Sequence, residues 1–252
     1  MQIAYHQTGS GPALVLIGGE HASMTTWDPE LLSALASHYQ ITYFDLPGSG
    51  YSGGSARSLS AVADLTAGLI DGLGLAQPDV LGWGLGADVA LALAERHPGI
   101  LAKLVLLEPG PLGTGPLAPS AAVAAALARP DETLGALSRL YFPPAANAAR
   151  QAWLARLAEV SPDDLSASGV RSEAALDASA AHDPALLNDT GAIRVPALVI
   201  DGAADEVVPP ANATRLVARL RHGRHLVLPG AGYGAVVQDE TRVVSAIESF
   251  TG

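Results

Sequence analysis

The sequence predicts an α/β fold, with a mostly parallel central sheet, helices on both faces and a helical insertion late in the chain. Three observations predict it. Short apolar runs of strand length, such as Ala13 to Ile17, Gln40 to Phe44 and Leu101 to Leu107, alternate with longer segments of helical spacing. One apolar run, ending at Leu81, passes through a glycine-rich turn into an alanine-rich helix, within D-V-L-G-W-G-L-G-A-D-V-A-L-A-L-A from Asp79 to Ala94. The alternation breaks once, where an alanine-rich segment with prolines at 116, 119, 130, 143, 144 and 162 runs from Pro111 to about Asn188.

The totals narrow the class. A chain of 252 residues, 49% of them hydrophobic, suits one large domain with a full core. A net charge of −11 and a pI near 4.9 argue against nucleic acid and anionic membranes, which need basic patches. Cysteine is absent, which excludes disulfides, thiolate metal sites and a Cys nucleophile. Met1-Gln2-Ile3-Ala4-Tyr5-His6 has neither a basic start nor an apolar h-region, so the expected location is cytoplasmic. No apolar run reaches the ~18 residues of a membrane span.

The elements follow in order. Ile3 to Gln7 and Ala13 to Ile17 read as strands joined by the turn Gly9-Ser10-Gly11-Pro12. Asp28-Pro29-Glu30 opens a helix, with Asp28 as N-cap and Pro29 in the first helical position. Gln40 to Phe44 is a buried strand. A helix runs from Leu59-Ser60 to about Gly72. The strand through Val80-Leu81 leads into a helix that Pro98-Gly99 stops near His97. Leu101 to Leu107 is the next strand, and Lys103, the single lysine, sits at its start, away from where a site would form. The core resumes with a strand from Ile193 to Ile200, a helix from Pro210 to Leu220, a strand from His225 to Leu228 and a last helix from about Val236 to Phe250. The expected division is a core of residues 1–110 and 191–252, with a helical cap at 111–190.

The glycine-rich turn supports two readings. Gly82, Gly84 and Ala87 fit the dinucleotide fingerprint G-x-G-x-x-A, with Glu108 near the place of a ribose-binding acid. Gly82-Trp83-Gly84-Leu85-Gly86 also fits the nucleophile elbow G-x-S-x-G with the middle residue replaced. The flanks decide for the elbow. A dinucleotide fingerprint normally opens its domain, and here about 80 residues of alternating strands and helices precede it. Upstream, Leu14-Val15-Leu16-Ile17-Gly18-Gly19 with Trp27, and then Asp45-Leu46-Pro47-Gly48-Ser49-Gly50-Tyr51-Ser52-Gly53, resemble successive motifs of the α/β-hydrolase superfamily. Downstream, Val195-Pro196-Ala197-Leu198-Val199-Ile200-Asp201-Gly202 with Asp205 resembles its acid turn. Leu228-Pro229-Gly230-Ala231-Gly232-Tyr233 resembles its histidine turn.

The resemblance implies a Ser–acid–His triad at Gly84, Asp205 and Tyr233, of which only the acid is present. Gly84 carries no nucleophile and suits an elbow's unusual backbone angles. Tyr233 is either a hydrogen-bond or proton donor to a developing oxyanion, or a space-filler bonded to Asp205. Glu20 and His21 form a second candidate acid–base pair, and Glu108 is a reserve acid at a strand end. His222 and His225 are expected on the surface. Backbone N–H groups build the family's oxyanion hole, and by position these belong to Leu85 and Glu20, with Gly19, Trp83 and Gly84 lining the substrate's carbonyl.

The sequence reading therefore expects a non-hydrolytic, cofactor-independent enzyme: a lyase, isomerase or cyclase acting on a hydrophobic carbonyl compound such as a natural-product intermediate. A ligand-binding protein without catalysis is one alternative. A hydrolase whose water is activated by Asp205 or His21 is another. No metal or cofactor site is expected, because no ligand spacing or phosphate loop is present. The expected partner is a hydrophobic small molecule.

Overall fold

The computed structural model describes residues 2–19, 23–55, 58–110, 117–129, 134–160 and 190–252. Strands β1 (Tyr5–Gly9) and β2 (Ala13–Ile17) lead to a short 3-10 turn, Met24–Thr26, and helix α1 (Pro29–Ala36). β3 (Gln40–Phe44), α2 (Leu59–Gly72), β4 (Asp79–Trp83), α3 (Leu85–Arg96) and β5 (Leu104–Leu107) follow. The connection from β5 to β6 (Ala197–Gly202) carries α4 (Ala121–Leu127), α5 (Leu134–Tyr141) and α6 (Asn147–Val160). α7 (Ala211–Arg219), β7 (Gly223–Leu228), α8 (Ala235–Gln238) and α9 (Glu240–Thr251) complete the chain. Among the described residues no helix is long and apolar enough to cross a membrane.

Among the described residues the sheet has seven strands in the order β1-β3-β2-β4-β5-β6-β7, and only β1 runs antiparallel to its neighbour. Such a sheet is buried on both faces, so its strands are continuous apolar runs. Leu14, Leu16, Leu81, Val105, Leu107, Leu198 and Ile200 face one core with α1 and α9. Val15, Ile17, Val80, Leu104, Leu106 and Val199 face the other, with α2, α3 and α7. The strands β2, β4, β5 and β6 all point their C-terminal ends to one edge, and the Gly84 turn lies there.

Local chemistry fixes the ends. Asp28 caps α1 through Oδ1, which accepts the Glu30 N–H at 3.0 Å, and Pro29 occupies the first turn. Some ends differ from the sequence reading. β1 begins at Tyr5 rather than Ile3. β6 begins at Ala197 because Pro196 has no N–H to give the ladder, and Thr190–Ala192 is a 3-10 turn instead. The last helix is two helices, broken at Asp239, whose φ of −139° and ψ of 52° are not helical. His225, expected on the surface, is partly buried. It lies within β7 and bonds the buried Asp201.

Candidate functional site

The turn between β4 and α3 is packed backbone against backbone. A Cβ on Gly82 would sit 2.2 Å from the Gly86 carbonyl oxygen, and one on Gly86 would sit 2.1 Å from that of Ile17. Only glycine fits at either place. Gly84 itself holds φ 53° and ψ −119°, the strained corner an elbow requires. Its N–H is tied to the Leu107 carbonyl at 2.9 Å. Leu85 begins α3, so its N–H has no acceptor within the helix and carries the positive end of the helix dipole. The turn thus presents an anion-stabilising donor at the C-terminal edge of the sheet.

Aromatic side chains crowd around it. The Tyr233 ring stacks on Trp83 with centroids 5.7 Å apart, and the Tyr141 ring lies 4.8 Å from Tyr233. Trp83 also meets Trp27 at 6.0 Å and Trp153 of α6 at 6.5 Å, edge-on. The Trp83 indole N–H donates to the Tyr233 carbonyl at 3.2 Å. All five rings are buried. The Tyr233 hydroxyl points toward the end of β2, since a Cβ placed on Gly19 would lie 3.6 Å from it. Gly19 also lies against the Trp83 carbonyl. Tyr233, Trp83, Gly84, Leu85 and Gly19 therefore converge.

Two carboxyl groups stand behind this cluster. Asp205 is buried, and its Oδ1 accepts the N–H groups of Val207 at 2.7 Å and Val208 at 2.9 Å, an arrangement that suits negative charge. Glu108, at the end of β5, is 1% exposed and has a φ of 43°, unusual for a side-chain-bearing residue. Neither of its oxygens has a hydrogen-bond partner of normal geometry among the described residues. Burial, then the charges of Asp205 and Asp201, push its carboxyl well above the usual range. Burial and the neighbouring charges thus favour the protonated form of Glu108 beside Asp205. Asp201, bonded to His225, is also raised by burial.

The candidate pair Glu20 and His21 lies outside the described residues. Asp88 is in the first turn of α3, where its Oδ1 accepts the Gly110 N–H at 2.9 Å. Lys103 donates to the Thr251 carbonyl at 2.7 Å, beside the N-terminal strand ends. Sequence reasoning missed Trp153 and Tyr141. Nothing in one sequence says which face of an alanine-rich helix meets a distant turn.

The strand order, the tight Gly82-Trp83-Gly84-Leu85-Gly86 turn and the helices between β5 and β6 define a class. A family model for the alpha/beta hydrolase fold matches residues 12–238, and the chain belongs to that family. It is similar to the pimeloyl-acyl-carrier-protein methyl ester esterase of Aeromonas hydrophila subsp. hydrophila, at 29% identity with 100% of both chains covered. It is similar to the solved esterase RhEst1 from Rhodococcus sp. ECU1013, at 26% identity and a TM-score of 0.79, covering 98% of this chain and 94% of that one. An alpha/beta hydrolase fold protein from Chitinophaga pinensis shares the fold, with a TM-score of 0.85 and 22% identity over 99% and 93% of the two chains.

These relatives correct one expectation. Curated relatives matched over nearly their whole length are named as a carbamate hydrolase and methyl ester esterases, which overturns the non-hydrolytic reading of a lyase, isomerase or cyclase. That reading equated the absent serine side chain with absent hydrolysis. In this fold the carbonyl is polarised by backbone N–H groups, which a Ser-to-Gly difference does not by itself remove.

Proposed function

We propose that this chain hydrolyses a hydrophobic ester or a related acyl compound by direct attack of water, without an acyl-enzyme. The observation that carries the reading is the Gly84 turn: the elbow's backbone, the Leu85 N–H and the α3 dipole are kept where no nucleophilic side chain stands. End-to-end similarity to ester hydrolases supports the reaction class. We read residues 111–190 as a cap, whose aromatic residues make the approach apolar.

In this reading the substrate carbonyl oxygen lies against the Leu85 N–H, with Glu20 as the second family position, and the Tyr233 hydroxyl donates from the Gly19 side. Asp205 accepts a proton from water as its oxygen bonds the acyl carbon. The acyl–oxygen bond then breaks, and the alcohol leaves with that proton. Burial, which favours the protonated form of Glu108, works against a second negative charge beside Asp205, the arrangement expected of two carboxyls whose environments separate their roles.

The experiment is hydrolysis of p-nitrophenyl esters with two- to eight-carbon acyl chains, run beside a fluorophosphonate probe for active serines. Turnover above buffer, reduced at least ~10-fold in Asp205→Asn and unaffected by the probe, is the expected result. Stoichiometric labelling by the probe, or no turnover with any ester, overturns the reading.

A further inference from the structure

We infer that Arg156 is a positioning residue: its ion pair with the buried Asp28 holds α6 so that Trp153 closes on Trp83 beside the Gly84 turn. Arg156 and Trp153 are three residues apart on α6 and so share a face of that helix. The guanidinium Nε donates to Asp28 Oδ1 at 2.9 Å, and Nη2 donates to Asp28 Oδ2, a two-pronged contact that fixes orientation as well as distance. Nη1 reaches Glu30 at 3.3 Å. The Asp28 side chain is fully buried, while that of Arg156 is 24% exposed.

Two lines of chain meet on one ring. On the core side, Asp28 follows Trp27, whose ring is 6.0 Å from Trp83. On the α6 side, Trp153 precedes Arg156 by one turn and sits 6.5 Å from the same Trp83 ring. Trp83 is the residue before Gly84 and stacks on Tyr233. A shift of Arg156 against Asp28 therefore moves Trp153 against the ring that borders the site. Phe142, 5.5 Å from Trp153, extends the same contact to α5.

The pair is built to respond. The guanidinium pairs with Asp28 and Glu30, and a third carboxylate, Glu240, has an oxygen within 4.8 Å of theirs. Burial first, then the charges of Asp28 and Glu30, raise the Glu240 carboxyl. A cavity of about 360 Å³, lined in part by Glu30, Ala149, Ala152, Arg156 and Glu240, lies against this face of α6. Water and salt thus reach the partly exposed guanidinium from this side, while the Asp28 carboxylate it holds is buried.

The inference rests on the Gly84 turn being the working site, and its main readout does not depend on turnover. The chain's three tryptophans, Trp27, Trp83 and Trp153, all lie in this cluster, so emission excited selectively from tryptophan reports on it alone. Asp28→Asn keeps an N-capping side chain for α1 while removing the charge, and Arg156→Gln removes the other charge. Both variants, with native circular dichroism, should show red-shifted emission and at least twofold greater acrylamide quenching, and Arg156→Lys should lie between them and the wild type. In the ester assay KM should change more than kcat. If Asp28→Asn does not fold, Arg156→Gln and Arg156→Lys carry the test. Unchanged emission and quenching in folded charge-removal variants overturn the inference. Changed emission with no ester turnover in the wild type leaves the positioning role standing and sinks the proposed reaction instead.

Discussion

Tyr233 stacks on Trp83 with ring centroids 5.7 Å apart, and its backbone carbonyl accepts the Trp83 indole N–H. The two residues come from turns 150 positions apart in sequence. Their contact joins the turn of the family's nucleophile to the turn of its histidine. An aromatic ring at 233 therefore does more than occupy a histidine's space. It locks the two turns together while sending its hydroxyl toward Gly19.

Tyr233→Phe separates these roles. The phenyl ring keeps the stack, so stability should fall by no more than about 1 kcal/mol, the net value of one hydrogen bond. Losing a donor beside the carbonyl should slow ester turnover by roughly 10-fold to 100-fold. Thermal melts and kcat on the same preparation check both. Equal turnover in the two proteins would reduce Tyr233 to a packing residue.

Gly84→Ser returns the family's hydroxyl, and it should remain inert. A serine hydroxyl needs a base to take its proton, and Tyr233 is not one near neutral pH. The positive φ of 53° adds a strain of about 1–2 kcal/mol for a side-chain-bearing residue. Gly84→Ser alone should take up no fluorophosphonate, whereas Gly84→Ser combined with Tyr233→His should label. Mass spectrometry of the intact protein reads the adduct directly.

Several features were legible in the sequence for stated physical reasons. Asp28 and Pro29 carry the chemistry of a helix start, and α1 begins at Pro29. The Gly82-Trp83-Gly84-Leu85-Gly86 spacing marked an elbow with unusual backbone angles at Gly84, which holds φ 53° and ψ −119°. Other features were hidden. The approach of Trp153 to Trp83 links α6 to β4, and the pairing of Arg156 with Asp28 spans 128 positions. A helix of mixed polarity does not advertise which of its faces is buried. His225 was misplaced because its partner, Asp201, lies on a neighbouring strand that periodicity cannot pair with it.

Glu108→Gln tests the buried acid whose proton burial holds more tightly. The folded-state carboxyl binds its proton more tightly than the unfolded one, so wild-type stability is greatest at low pH. It is lost progressively as pH rises from the ordinary carboxylate range toward the raised folded value. Glutamine cannot ionise. The variant's melting temperature should match the wild type near pH 4 and exceed it near pH 8. A variant that loses stability by the same amount at both pH values would place a charged Glu108 in the native state.

Asp79 supplies the same test far from the Gly84 turn, at the N-terminal start of β4. Burial pushes its carboxyl up to about 6 from 3.8, with Lys103 opposing the shift. A raised folded value means that protonation favours the native state. Wild-type stability should therefore decline between about pH 4 and pH 6 and level off above that, with a ceiling of about 3 kcal/mol for a shift of roughly two units. Asp79→Asn removes the decline, and it also removes the attraction to Lys103, so the net gain at pH 7.5 should be nearer 1 kcal/mol, or a few degrees in Tm. Ester turnover should be unchanged, because Asp79 and Gly84 lie at opposite ends of β4. Thermal melts of both proteins from pH 4 to pH 8 decide the matter. If wild type and variant run parallel across that range, Asp79 is ionised in the native state and its pairing with Lys103 outweighs its burial.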